Sequence, residues 1–336
     1  MKAIVYRHSA VNSPSALVDD ELPTPEPMGR DLLVEIKAIS VNPVDCKIHQ
    51  NVNPEKDEQK ILGWDAAGVV SSIGESVSAY KVGDKVYFAG DLTRPGCNAE
   101  YQCVDERLVG KMPASLSFSD AAALPLTAIT AWELLFDRLE LKASSGTSDD
   151  VILVVGAAGG VGSILIQLAK CLTTAKVIGT ASREESQAWV KRMGADFVVN
   201  HHQNLEAQLK ECGISSFTHV ASLTHTDQHY KSIVGLMKPQ AKFALIDDPI
   251  ELDIKVFKRK SISIHWEFMY TRSMFQTEDM AAQQMILNEV SRLVDAGELK
   301  TTLTEHYGKI NAENLAKAHQ TIQTGSMLGK LVLEGF

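Results

Sequence analysis

The chain has 336 residues, 45% hydrophobic and 22% charged. That is the texture of a globular protein of two domains, or one large one, with enough core to need no disulfide or structural metal. Forty-two acidic against 33 basic residues give a formal net charge of −9, which argues against a general nucleic-acid binder and a polybasic membrane-surface protein. No apolar run reaches the roughly 18 residues needed to span a bilayer. Residues 1–6 are too short an apolar stretch for a signal peptide before Arg7-His8. The five cysteines are odd in number and contain no Cys-x-x-Cys pair, as expected of free thiols in a reducing cytoplasm.

Up to about residue 125 the chain reads as short strands. Residues 31–41 alternate roughly apolar and polar, and 66–73, 84–88 and 100–104 are β-rich. Gly74-Glu75, Val82-Gly83-Asp84 and Arg94-Pro95-Gly96 are turn chemistry. Strands so short and frequent predict a barrel or sandwich. From residue 126 the rhythm is strand, helix, strand. Strands are expected at 151–155, 176–180, 197–200, 219–223, 242–246 and 261–266, with helices at 163–172, 184–193, 204–211 and 227–237. Six strands with crossovers predict a doubly wound parallel sheet. Helices at 279–296 and 312–324 follow, and 329–334 is a final strand. If that strand returns to the first domain, the doubly wound domain is an insertion.

The apolar strand 151–155 runs into Gly156-Ala157-Ala158-Gly159-Gly160-Val161-Gly162, and a helix follows. This is the strand–turn–helix setting of a dinucleotide fingerprint. Gly159 lets backbone approach a pyrophosphate, Gly162 lets helix pack on strand, and the helix start faces the phosphates. The first glycine of the plain motif is replaced by Ala157, and a tight turn without a ligand is the alternative. At the end of the next strand the acidic residue of an NAD site is missing: Ala181 stands there, followed by Ser182 and Arg183. A hydroxyl and a guanidinium suit a 2′-phosphate, so NADPH is expected over NADH. The alternative for Arg183 is a solvated residue paired with Glu184-Glu185.

The sequence resembles the medium-chain dehydrogenase/reductase superfamily, in its zinc-independent quinone oxidoreductase branch, over essentially its whole length. The resemblance is carried by Ser40-Val41-Asn42-Pro43-Val44-Asp45, Leu62-Gly63-Trp64-Asp65-Ala66-Ala67-Gly68, Tyr80-Lys81-Val82-Gly83-Asp84, the segment 121–131, the glycine loop and Gly329-Lys330-Leu331-Val332-Leu333. Residues 265–273 look like a bacterial subgroup labelled zinc-type alcohol dehydrogenase-like. The resemblance implies an α/β fold, a Rossmann doubly wound parallel sheet inserted in a GroES-like β-barrel domain. It implies domains of 1–125 with 268–336, and 126–267, and an active cleft between them.

Zinc members of the superfamily use a Cys, the His of a Gly-His-Glu motif and a later Cys. Asn42 and Gly63-Trp64-Asp65 stand at the first two positions, and 125–131 has neither Cys nor His. An indole and a carboxamide do not replace imidazole and thiolate, so no zinc is expected. Without a Lewis acid, hydride transfer to a quinone or α,β-unsaturated carbonyl is the expected chemistry. By resemblance Asn42, Asp45 and Lys47 lie beside the nicotinamide, and Thr127 meets the cofactor's carboxamide or phosphate. A helix cap for Asp45, a solvated helix residue for Lys47 and a helix cap for Thr127 are the plain readings. The cofactor-binding set is Thr127, Gly156, Ala158, Gly159, Gly160, Val161, Gly162, Ser182 and Arg183. The ten histidines show no ligand spacing, and His201-His202 reads as a surface loop. The strand 261–266, at the sheet edge, invites pairing with a second copy, so a homodimer is expected. A nicotinamide-binding protein with little turnover, such as a redox sensor, and a zinc-type alcohol dehydrogenase are the alternatives.

Overall fold

The computed structural model describes residues 1–8, 16–142 and 149–336. They form two compact units, Met1–Ile129 with Tyr270–Phe336, and Thr130–Met269. The junctions expected from the resemblance are 125/126 and 267/268. The helix Pro125–Trp132 runs through the first junction, where a change of strand rhythm cannot mark it.

The unit Thr130–Met269 is built on a parallel sheet of Val151–Val155, Lys176–Thr180, Phe197–Val199, Phe217–Ser222, Met237–Leu245 and Ser263–Trp266. Numbered along the chain, the strands lie in the order 3-2-1-4-5-6, the Rossmann arrangement, whose order reverses beside the first strand. All five residues of Val151–Val155 are buried, as a central strand covered on both faces demands. Its neighbours fix the register, with Ile152 paired to both Val177 and His219. Leu153, Ile178, Val220, Phe243 and Phe257 form the core on one face. The fifth strand starts at Met237, five residues before the sequence suggests. Pro239 interrupts the text there, and Gln240 has a φ of 65°. The pairing skips from Phe217↔Met237 to His219↔Lys242, so an irregular stretch of strand reads as a loop.

The other unit holds a seven-stranded sheet ordered Leu303–His306, Lys330–Glu334, Asp31–Ser40, Ala66–Ile73, Lys85–Phe88 and Val109–Lys111, with Tyr101–Asp105 also paired to Asp31–Ser40. The closing strand returns to the N-terminal part of the chain: Val332 pairs with Ser40 and Glu334 with Ala38, antiparallel. Leu331 and Leu333 enter one core with Leu32, Val34, Ile36 and Phe88. A smaller sheet joins Val18–Glu21, Lys2–Arg7 and Gln59–Ile61. Sequence reading passed over these three strands, two of them short and exposed. Among the described residues no helix is long and apolar enough to cross a membrane. All five cysteines are free thiols.

Candidate active site and dinucleotide site

The strand Asp31–Ser40 delivers Asn42 to the head of the helix Pro43–Asn51. Asn42 is extended, at φ −126° and ψ 157°, and Pro43 follows at the first helical position, where a missing N–H costs nothing. The Asn42 backbone N–H donates to Asp45 Oδ2 at 2.8 Å, one half of a capping box. The Asn42 side chain is engaged at both ends. Its Nδ2 donates to Asp65 Oδ2 at 3.0 Å, and its Oδ1 accepts from Lys330 Nζ at 2.5 Å. Lys330 also donates to the Val41 carbonyl at 3.0 Å and stands 3.0 Å from Asp65 Oδ2. Three acceptors satisfy the three N–H bonds of the ammonium. The remaining Asp65 oxygen accepts the Leu126 N–H at 3.1 Å, so a carboxylate sits at the start of the helix Pro125–Trp132, where the helix dipole favours it.

This polar group is sealed: Asn42, Asp45, Asp65 and Lys330 are each at most 3% exposed. Burial of charge on Asp65 and Lys330 is tolerated because the two are paired and hydrogen-bonded. Burial pushes the Asp65 carboxyl up, against the opposing pull of Lys330, Asn42 and the Leu126 amide. Burial pushes Asp45 up to about 7, against the Asn42 N–H and Lys330. Asp45 Oδ1 has no hydrogen-bond partner. Cys97, also buried, has its thiol 3.6 Å from the Asp65 carbonyl, and burial raises its pKa. Lys47 is exposed on the helix Pro43–Asn51. Thr127 is buried, and its hydroxyl donates to the Leu124 carbonyl at 3.1 Å.

These residues do not fit a zinc ion. Where the resemblance puts the histidine ligand, Trp64 is buried and its indole N–H donates to the Asp91 carbonyl at 3.0 Å. The oxygens beside it, from Asn42 and Asp65, already bond an ammonium. A second cation there would face Lys330 across about 3 Å, strongly repulsive in a dry interior. Among the described residues no three His, Cys, Asp or Glu side chains are placed to hold a metal.

In the other unit the glycine turn sits at the C-terminal end of the first parallel strand. Gly156 has a φ of +76°, and a Cβ on it would stand 2.8 Å from the Thr224 side chain, so glycine is required there. Its N–H donates to Thr180 Oγ1 at 3.1 Å. The helix Gly160–Leu172 begins three residues before the sequence suggests, with Gly159 as its extended N-cap. A Cβ on Gly162 would come within 2.6 Å of the Ala157 carbonyl oxygen, so that close packing admits only glycine. A Cβ on Gly159 would meet only the Gly156 oxygen, at 3.6 Å, and that side of the turn is open. Ala158, Gly160 and Val161 complete the turn and first helical residues, all half-buried. Ser182 is half-buried and Arg183 exposed, the latter at the N-cap of the helix Glu184–Arg192. The Asn200 side chain donates to the Ser182 carbonyl at 3.5 Å. Thus the glycine turn, Thr180, Ser182 and Asn200 gather along one edge of the sheet.

The structure therefore unites Asn42 with Asp45 and leaves Lys47 at the surface. Asp65 and Lys330 were missed as site residues. The available signal was a lysine opening an apolar strand, Lys330-Leu331-Val332-Leu333, in a sheet where every other residue of that run is buried.

Residues 29–114 match the family model of the alcohol dehydrogenase GroES-like domain, and residues 160–283 that of the zinc-binding dehydrogenase. A zinc-type alcohol dehydrogenase-like protein of Staphylococcus epidermidis is 37% identical over 99% of both chains. A candidate zinc-dependent alcohol dehydrogenase of Rhizobium etli, of known crystal structure, is 50% identical, with a TM-score of 0.95 over 100% of this chain and 98% of that one. A quinone oxidoreductase of Lama guanicoe is 28% identical over 99% of this chain and 97% of the relative. The chain belongs to the medium-chain dehydrogenase/reductase superfamily, a family of oxidoreductases.

Proposed function

We propose that this chain is a zinc-independent oxidoreductase that uses NADPH to reduce quinones or α,β-unsaturated carbonyls. The observation that carries the reading is the sealed Asn42–Asp65–Lys330 group: the Asn42 oxygen, at a position where the resemblance puts a metal ligand, accepts a hydrogen bond from an ammonium paired with Asp65. A bound NADPH supplies hydride to an electron-poor carbon, whose conjugated oxygen spreads the developing charge without a Lewis acid.

The protein's own part is binding and orientation. The N–H groups at the start of the helix Gly160–Leu172, with the open side of Gly159, suit a pyrophosphate. Ser182 and Arg183 take the 2′-phosphate, the guanidinium as a forked donor. Thr127 meets the carboxamide or a phosphate. Asn42 and Asp45 are positioning residues: both are buried, and their mutual hydrogen bond fixes the head of the helix Pro43–Asn51. Lys47, exposed on that helix, offers a charged donor to the ribose or to the acceptor oxygen. The edge strand Ser263–Trp266, with Trp266 55% and Phe268 48% exposed, supports a homodimer through edge pairing. The free thiols support a cytoplasmic setting.

The test is NADPH oxidation by chelator-washed protein offered an ortho-quinone, an alkenal and a simple saturated aldehyde. Turnover of the quinone or the alkenal, and not of the aldehyde, is expected. Binding of NADPH without oxidation by any of the three would replace the enzyme with a redox sensor. Activity restored only by added zinc would return it to the zinc-type alcohol dehydrogenases.

A further inference from the structure

Four histidines crowd the same sheet edge. His201 and His202 follow the third parallel strand, and His225 and His229 lie at the start of the helix Thr226–Leu236, after the fourth. The ring centroids of His201 and His202 are 4.3 Å apart, and those of His201 and His229 5.5 Å. His225, at a φ of 52°, has Nδ1 2.7 Å from Thr224 Oγ1. His201 and His229 line a cavity of about 450 Å³ with Leu153, Val155, Thr180 and Ile233. Thr180 also receives the Gly156 N–H, and Asn200, beside His201, reaches the Ser182 carbonyl. The histidines therefore stand beside the segments assigned above to the pyrophosphate and the 2′-phosphate.

Imidazoles this close repel one another when charged. Partial burial and this mutual repulsion hold His201 and His229 below the usual histidine range. Glu206, on the helix Leu205–Glu211, lines the same cavity. Asp227 pulls His229 up. Asp247 is taken up by the Thr226 N–H and hydroxyl at 2.9 and 2.5 Å. Arg183 starts the helix that follows Ser182.

We propose that these four histidines make dinucleotide binding proton-linked, a 2′-phosphorylated dinucleotide binding more tightly as pH falls. The proposal rests on the NADPH reading above and concerns the regulation of that site. Without a ligand, burial and crowding disfavour the charged forms of His201 and His229, and Asp227 only partly offsets this at His229. A phosphate monoester carries close to two negative charges there. It favours the imidazolium form, and the proton comes from solvent. A dinucleotide with a free 2′-hydroxyl brings the pyrophosphate charge alone and favours the imidazolium form less.

The experiment is calorimetry of the intact protein with NADP+ and with NAD+ at pH 6, 7 and 8. Two buffers of different ionisation enthalpy at each pH give the protons taken up per ligand bound. NADP+ is expected to bind with net proton uptake averaging about half, and so roughly tenfold more tightly at pH 6 than at pH 8. NAD+, which lacks the 2′-phosphate, is expected to show a smaller uptake and a shallower pH slope. The phosphate itself titrates near pH 6, so the histidine share is the difference between wild type and His201→Asn/His229→Asn. If that half-buried pair fails to fold, His202→Gln/His225→Gln, at exposed positions, serves instead. A proton count and pH slope unchanged by the variants overturn the proposal while leaving the NADPH reading in place. Failure of NADP+ to bind at any pH overturns both.

Discussion

His319 provides a sharp test of how burial governs this fold. It lies on the helix Ala312–Gln323, 4% exposed, with its ring 5.7 Å from that of His49. Neither ring nitrogen has a hydrogen-bond partner. Burial, reinforced by His49, pushes His319 down to about 4, against about 6.5 in an unfolded chain. Its contribution to stability is therefore fully present above pH 6.5 and is lost as pH falls through 4. Linkage over these two values gives a loss of about 2 kcal/mol between pH 7.5 and pH 5. Wild type alone conceals it. Asp45, pushed up to about 7, runs the other way and returns about 2–3 kcal/mol over the same interval. The informative quantity is the difference between wild type and His319→Leu at each pH. At pH 7.5 the variant is expected to match or exceed wild type, because leucine leaves no buried nitrogen without a partner. At pH 5 its advantage should have grown by about 2 kcal/mol. Equilibrium unfolding in urea, read by hydrogen exchange across residues 312–334, measures this in the unit that holds the residue. An advantage equal at the two pH values would refute the argument that a neutral imidazole is locked in place by burial.

Three further outcomes follow from the sites. Lys330→Met leaves Asp65 buried beside no cation and should cost about 3–5 kcal/mol in unfolding free energy; adding Asp65→Asn should recover much of it, and a purely additive double variant would deny the pairing. Asp45→Asn should gain on wild type by about 2–3 kcal/mol from pH 5 to pH 8, since the wild-type carboxyl favours the folded state below pH 4 and loses that benefit as pH rises through about 7; parallel stability curves would exclude a carboxyl held neutral. Gly162→Ala drives a Cβ to 2.6 Å from the Ala157 oxygen and should cost about 1–3 kcal/mol and weaken NADP+ binding, measured by thermal melting and calorimetry; an unaffected melt would show that the helix can back away from the strand.

Hydrophobic rhythm made the parallel sheet legible. Val151–Val155 is buried along its whole length because a central strand has no solvent face, and such a strand can be recognised from its own five residues. The site between Asn42 and Lys330 cannot be recognised that way. Its members lie 288 residues apart, and nothing local in Gly63-Trp64-Asp65 says that the carboxylate meets an ammonium. The missing zinc ligands were readable as residue types, but what stands in their place required the fold. The histidine group was opaque for the same reason. His201-His202 and His225–His229 have unremarkable spacing, and only the parallel pairing of their strands to a common neighbourhood brings the rings together.

The closing strand has a consequence for biosynthesis. Residues 31–40 emerge from the ribosome long before Lys330–Glu334, which lies beside them in the finished sheet. Until that late segment arrives, Asp65 has no ammonium, and the edge at Val332↔Ser40 has no partner. Thr130–Met269, whose strands pair among themselves, has no such wait. In the growing chain every strand of Thr130–Met269 is therefore available before the last strand of the other sheet has been made.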